Sequence, residues 1–231
     1  MTIYGWDVSS NDAPAADGIS FLVHRADGEI GAFWDAVRER DPERVLAGAY
    51  WVLRPEGPAG QADRFLARLD QDCPGWRDRP FLLRADCEKW EGEPTTVPSK
   101  AAIGTFCDRL TERRPEIRPL VYAPRWVHGD ALTGLAYPLW ASSYVAGAGT
   151  FEVLYPGDRS SRWAAYSGQT PAVLRYSTSA TIGGRPAGDV SAFRGTLAEL
   201  TSLAAPGHVL RGGEAGQGRR RSAGSVNAGG A

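Results

Sequence analysis

Short apolar runs alternate with amphipathic stretches along much of this chain, and this alternation limits the possible folds more than any other feature. The apolar runs predict strands at residues 3–8, 19–24, 45–53, 80–86, 119–123, 137–142 and 172–177. Helical spacing predicts helices over 31–40, 60–70, 99–114 and 190–203, with Ser99 as an N-cap and Pro115 as a stop. Such alternation favours a parallel sheet covered by helices.

The second half of the chain is short of predicted helices. Residues 143–170 are rich in Gly, Ser and Tyr, and predict a loop with one short strand near 163–166. We therefore expect an α/β fold, a distorted (β/α) barrel of the TIM type with fewer than eight helices, formed by residues 1–204. Residues 205–231 contain almost no large apolar side chains and predict a flexible tail.

Composition excludes several classes of function. The formal net charge of −1 argues against nucleic acid as the main ligand. No apolar run is long enough to insert stably in a membrane. The three Cys and three His residues are scattered and match no zinc-ligand spacing, so we expect no metal and no other cofactor. We expect a monomer.

Two carboxylates follow the apolar run at residues 80–83. Asp86 and Glu88 are two positions apart on a strand, so they point to the same face while Cys87 points away. Neighbouring acids resist double ionisation, so one of them becomes a proton donor near neutral pH. A glycosidic bond is cleaved by such a pair, although a solvated strand end often carries the same pattern.

Two further acids lie at predicted strand ends. Asp7 ends the first strand, and Asp189 follows the last one. The first and last strands become neighbours when a barrel closes, and the strand of Asp86 faces them across the mouth. The sequence therefore predicts that four carboxylates surround one pocket at the carboxyl edge of the barrel.

An ordered set of segments carries a family resemblance. The segments are residues 4–10, 21–28, 48–51, 61–65, 86–88, 138–141 and 189–190, including Gly-Trp-Asp-Val-Ser, Gly-Ala-Tyr-Trp, Asp-Cys-Glu and Pro-Leu-Trp. Together they resemble glycoside hydrolase family 25, the lysozymes and phage endolysins called muramidases, over roughly residues 3–203. The chain departs from the family pattern at Arg25, Asp27 and Trp51, where Lys, Glu and His are common.

The resemblance implies a β-1,4-N-acetylmuramidase that acts on the glycan strands of bacterial peptidoglycan. By this resemblance Glu88 is the general acid and base, and Asp86 steadies the acetamido group that attacks the anomeric carbon with retention. Asp7 and Asp189 would order the site. The residues alone leave two other roles open for Asp86, as a direct nucleophile or as the base that activates water for inversion.

Side chains near the strand ends are the candidates for substrate binding. They are Arg25, Tyr50, Trp51, Tyr122, Trp140 and Tyr176. Aromatic rings stack on sugar faces, but Trp51 and Trp140 are equally compatible with packing in the barrel.

Other functions fit the same scaffold, and the start of the chain bears on where the protein acts. A non-catalytic glycan-binding or virion-structural protein could use the same scaffold, and a chitin- or N-acetylhexosamine-cleaving enzyme is a nearer alternative. The start of the chain lacks a basic segment followed by an apolar one, so no signal peptide is expected. This favours an endolysin made in the cytoplasm that reaches the cell wall through a membrane lesion made by another protein, a holin.

Overall fold

The computed structural model describes residues 1–8, 18–89 and 97–207. Within these ranges the strands are β1 Ile3–Val8, β2 Ile19–Arg25, β3 Leu46–Val52, β4 Leu82–Asp86, β5 Leu120–Tyr122, β6 Leu139–Ser142, β7 Gly149–Thr150, β8 Val173–Ile182 and β9 Arg185–Phe193. The α-helices are α1 Ile30–Val37, α2 Pro58–Asp72, α3 Lys100–Arg113, α4 Arg125–His128, α5 Phe151–Leu154 and α6 Leu197–Ala204.

The strands close into a barrel. The hydrogen-bonded order is β6-β5-β4-β3-β2-β1-β9-β8-β7, and an additional pairing of β6 with β8 completes the ring of eight strands. Strands β1 to β6 pair in parallel, whereas β9 runs antiparallel to both β1 and β8. The described ranges contain six α-helices, so the expected distorted barrel with fewer than eight helices is confirmed.

The end of the barrel differs from the sequence prediction. Residues 190–193 belong to β9 and not to the predicted helix over 190–203. A two-residue turn at Gly183 and Gly184, with φ of 57° and 76°, folds β9 back along β8. Glycine tolerates this left-handed backbone, which suits a tight hairpin. The helix begins only at α6, where Thr196 and Glu199 form a capping box.

The loop after β6 was also predicted only in part. The strand predicted near residues 163–166 is wrong, because Ser161–Trp163 forms a 3-10 helix and Tyr166 makes only an isolated bridge to Gln169. Strand β7 and the short helix α5 were not predicted. The N-cap prediction at Ser99 is confirmed, since its hydroxyl accepts a hydrogen bond from the Ala102 N–H at 3.2 Å.

Two apolar clusters hold the barrel together. The outer cluster lies between the strands and helices α1 to α3. The inner cluster fills the barrel, and Leu200 and Ala204 of α6 pack into it with residues from the strand starts, such as Ile3 and Leu120. Helix α6 therefore closes the amino-terminal end of the barrel. Removing this apolar surface from water contributes roughly 25 cal/mol per Å².

The packing inside the barrel requires a glycine near the first acid. A Cβ atom at Gly5 would lie 2.0 Å from the Phe21 ring, so a larger residue there would displace the ring from the barrel interior.

The predicted tail falls almost entirely outside the described residues. Its first residues still pack on the domain, because Ala205 is buried and the Gly207 N–H donates to the Glu116 carbonyl at 3.2 Å. Among the described helices, none has the length and apolar character needed to cross a bilayer.

Candidate active site

The four predicted acids lie together at the carboxyl ends of the parallel strands. Asp86 is the last residue of β4, Glu88 follows it, and Asp7 lies near the end of β1. Asp189 lies within β9, not after a final strand as predicted. It reaches the same rim because β9 is antiparallel and its Val190 pairs with Trp6, which places Asp189 beside Asp7. We call Asp7, Asp86, Glu88 and Asp189 the acid cluster.

Two arginines that the sequence analysis did not identify join these acids. Arg84 Nη1 lies 2.7 Å from Asp7 Oδ2, and Arg84 Nη2 lies 3.8 Å from Asp86 Oδ2. Arg175 forms an ion pair with Asp7, and its Nη1 lies 3.2 Å from Asp189 Oδ2 and 4.0 Å from Glu88 Oε1. Arg175 thus contacts three of the four acids.

The acid cluster has a buried floor and an accessible rim. The side chains of Asp86 and Asp7 are 1% and 3% exposed, whereas those of Glu88 and Asp189 are 23% and 36% exposed. Neither carboxylate oxygen of Asp86 has a hydrogen-bond donor among the described residues. Glu88 is therefore the member of the Asp-x-Glu pair that solvent and a ligand reach first.

Burial controls the proton affinity of this pair. Burial is the largest cause that raises the pKa of Glu88, to about 7, and the Asp86 carboxylate adds to it while Arg175 and Arg84 oppose it. Burial also raises the pKa of Asp86, to about 6, against the two arginines. The sequence predicted that repulsion between the two carboxylates raises the pKa of one of them, whereas desolvation is the larger cause.

Aromatic rings make the buried arginines tolerable. The Arg84 guanidinium lies 4.4 Å from the ring centroids of Tyr50 and Trp140, and that of Arg175 lies 4.0 Å from the Tyr122 ring. A cation over a ring face is attracted by the quadrupole of the ring. Three of the residues predicted to bind substrate are thus buried against arginines, and this placement does not support a direct contact with a glycan.

Three other predicted binding residues lie apart from the cluster floor. Trp51 points outward, where its indole packs on Phe65 of α2. Tyr176 is buried in the outer cluster, and its hydroxyl donates to the Phe151 carbonyl at 2.8 Å. The placement of these two side chains does not support substrate binding. Arg25 ends β2 near the rim and forms an ion pair with Asp27, so its contact with substrate stays a prediction.

A histidine supports the backbone between the two acids. His128 of α4 places Nε2 2.6 Å from the carbonyl oxygen of Cys87. Burial lowers the pKa of His128, so the ring is neutral at neutral pH and its Nε2–H donates to that carbonyl. This bond fixes the peptide that precedes Glu88. The sequence analysis assigned no role to any histidine.

Metal ligation has no candidate in the described ranges. No group of His, Cys, Asp and Glu there is arranged to hold a metal ion. Cys73, Cys87 and Cys107 are buried and free.

Solved structures with this fold come from bacteria and bacteriophages. A bacterial lysozyme from Streptomyces coelicolor matches with a TM-score of 0.61 and 20% identity, over 89% of this chain and 98% of that one. The catalytic domain of an endolysin from the Listeria monocytogenes bacteriophage P40 gives 0.59 and 13%, over 87% and 98%. A glycosyl hydrolase 25 of Streptococcus pneumoniae gives 0.59 and 13%, over 87% and 92%.

Sequence comparison adds nothing to these matches. No family model matches the chain, and no curated protein matches it. The structural likeness confirms the fold that the resemblance in the sequence implied, since the same barrel occurs in a bacterial lysozyme and in a glycosyl hydrolase 25.

Proposed function

We propose that this protein is a lysozyme that hydrolyses the β-1,4 bond after N-acetylmuramic acid in bacterial peptidoglycan. The observation that carries the proposal is the state of Glu88, a partly exposed acid whose pKa is raised to about 7 beside the buried Asp86. An acid that keeps its proton near neutral pH can protonate a leaving sugar oxygen. The fold shared with a bacterial lysozyme supports the same assignment.

In the proposed reaction Glu88 gives its proton to the glycosidic oxygen as the bond to the anomeric carbon breaks. The acetamido oxygen of the same sugar attacks that carbon from the opposite face and gives a cyclic oxazolinium. Asp86 accepts the acetamido N–H at the floor of the site. Its carboxylate oxygens have no donor among the described residues, and because the side chain is 1% exposed, this contact requires the rim to open as the sugar enters. Water then adds to the anomeric carbon and returns its proton to Glu88, so configuration is retained.

The remaining members of the cluster have a supporting part in this proposal. Asp7 and Asp189 both contact Arg175, which also faces Glu88. They hold the arginine in place and keep the field at the anomeric carbon negative as positive charge develops there. Such preorganised charge costs no rearrangement during the reaction.

Analysis of the products tests the proposal. Mass spectrometry of digested peptidoglycan should find muramic acid at the new reducing ends. Glu88→Gln should bind the glycan but cleave it about 10²–10⁴-fold more slowly, because a positioned acid contributes that much. Glu112→Gln, an exposed glutamate on α3, is the matched control and should cleave normally.

Other outcomes would select the alternatives. Binding without any cleavage by the unaltered protein would favour a glycan-binding or virion-structural role, and reducing ends of N-acetylglucosamine would favour a chitin- or N-acetylhexosamine-cleaving enzyme. NMR of the first product anomer distinguishes retention from inversion. We place the action of the protein at the bacterial cell wall, as for an endolysin, with a holin as the route to it.

A further inference from the structure

A pocket lies at the carboxyl ends of β5 and β6, on the same edge of the barrel as the acid cluster. It has a volume of about 400 Å³, and its lining includes Arg125, Trp126, Ser143 and Arg162. Trp126 is 61% exposed, which is unusual for a tryptophan in a chain that buries most of its large apolar side chains. We call this the arginine pocket.

A continuous set of contacts joins the arginine pocket to the acid cluster. Arg175, which faces Glu88, donates to the Tyr122 hydroxyl at 3.1 Å. That hydroxyl lies 3.2 Å from the hydroxyl of Tyr144, whose ring lies 5.6 Å from the Trp126 ring between centroids. These contacts place the pocket within reach of a polymer that binds across Glu88 and passes Tyr144.

The two arginines of the pocket have no acidic partner among the described residues. Several other surface arginines do, as Arg38, Arg68, Arg77, Arg109 and Arg113 each pair with a carboxylate. Arg162 Nη1 donates to the Tyr144 carbonyl at 2.6 Å and to Ser143 Oγ at 3.2 Å, which orients its guanidinium. No carboxylate of a described residue lines the pocket.

We propose that the arginine pocket binds a carboxylate of the substrate next to the cleaved bond, with Trp126 packing on the adjoining sugar or peptide. The proposal rests on the proposed function, because it takes the substrate to be peptidoglycan. Two sources supply this chemistry, the lactyl carboxylate of muramic acid without a peptide and the carboxylates of the stem peptide. An arginine fork matches a carboxylate in geometry and charge. Chitin, a neutral glycan, offers no such group.

Binding measurements in the Glu88→Gln background test the pocket without requiring cleavage. The probes are intact peptidoglycan, glycan strands stripped of peptide by an amidase, and chitin oligosaccharide. Arg125→Gln should weaken binding of at least one carboxylate-bearing probe, intact or stripped strands, about 10-fold, the scale of one charged hydrogen bond, and leave chitin binding unchanged. Arg125→Lys should restore part of the loss. Arg64→Gln, an exposed arginine on α2, is the control and should bind as the parent does.

The stripped strands distinguish the two sources of the carboxylate. A loss on stripped strands alone would identify the lactyl carboxylate, which the amidase frees from its amide bond, and a loss on intact strands alone would identify the stem peptide. Losses on both would show that the pocket accepts either carboxylate. Unchanged binding of both carboxylate-bearing probes, or an equal loss on chitin, would overturn the proposal. If binding depends on the carboxylate but the unaltered protein cleaves no peptidoglycan, the proposed hydrolysis is overturned and the proposed binding role of the pocket is kept.

Discussion

Two networks of acids and arginines in this protein behave in opposite ways. On the surface, Arg109 of α3 binds both carboxylate oxygens of Asp63 on α2 at 3.0 Å, with Arg113 close by. These hydrogen bonds lower the pKa of Asp63. Inside the rim, Arg84 and Arg175 also face carboxylates, yet the pKa of Glu88 rises to about 7 because burial outweighs the arginines.

The difference teaches that burial and hydrogen bonding together decide what an ion pair does here. Asp63 accepts hydrogen bonds from its arginine, whereas Glu88 is buried and the Arg175 Nη1 nitrogen lies 4.0 Å from it. An exposed pair remains solvated, so its acid stays charged and contributes little to stability. A buried pair loses its hydration, and part of the cost is avoided when an acid holds its proton. Glu88 of the acid cluster can therefore act as a proton donor, whereas the Asp63–Arg109 pair joins helices α2 and α3.

The largest expected effect is on the free energy of unfolding, when the buried network loses an arginine. Arg84→Met removes a fully buried cation from between Asp7 and Asp86, and should destabilise the protein by about 3–5 kcal/mol, as is typical when one partner of a buried pair is lost. Denaturant unfolding measures the change. Arg109→Met, in the surface network, is the control and should alter stability little. Similar losses for the two variants would contradict the contrast.

The next largest effect is on the reaction. Asp86→Asn removes the negative charge from the floor of the site, and should lower cleavage about 100-fold, the scale found when one group that stabilises the transition state is removed. The fold should persist, because asparagine has the same shape and a carboxyl with a pKa of about 6 already carries a proton part of the time. A normal rate with an unchanged melting curve would contradict the role of Asp86.

A smaller effect should appear in how stability depends on pH. The folded pKa of Glu88, about 7, is above its ordinary value of 4.5, so the folded state holds a proton that the unfolded state releases. Stability is therefore lost as the pH rises from about 4.5 to 7. Glu88→Gln does not titrate, so its Tm should exceed that of the parent at pH 8 and approach it at pH 4. Equal Tm values at pH 8 would count against the raised pKa.

In the surface network the pH dependence of stability has the opposite sign, and the expected effect is the smallest. The pKa of Asp63 is lowered in the folded state, so its contribution is present at neutral pH and is lost as the pH falls through that lowered value. Asp63→Asn should therefore lower Tm slightly at pH 8 and not raise it. A rise like that of Glu88→Gln would show that burial is not the distinguishing factor.

The parallel part of the barrel and the meeting of the acids were predictable from the sequence. Apolar runs define β1 to β6, and the shared carboxyl edge of parallel strands brings Asp7 and Asp86 to one rim. Two further sequence features bear on the parts that were predicted wrongly. Gly183-Gly184 is a hairpin turn that indicates β9. Tyr50 and Trp51 are adjacent on a strand, so only one of them could face inward.

The arginines show what the sequence could not reveal. Arg84 lies two positions before Asp86 and so shares its face, but arginine is rarely buried and the pattern alone favours exposure. Its burial becomes favourable only when closure of the barrel brings Asp7, Tyr50 and Trp140 around it. The same holds for Arg175, whose partners come from three other strands or their ends.

Ring closure also sets the point at which the acid cluster can form. Asp7 comes from the first strand and Asp189 from the last, and α6 must then seat beneath them to seal the interior. A chain still emerging from the ribosome, or one cut before residue 185, lacks β9 and with it Asp189, one of the three acids that contact Arg175. Incomplete copies therefore have neither a closed barrel nor the full acid cluster.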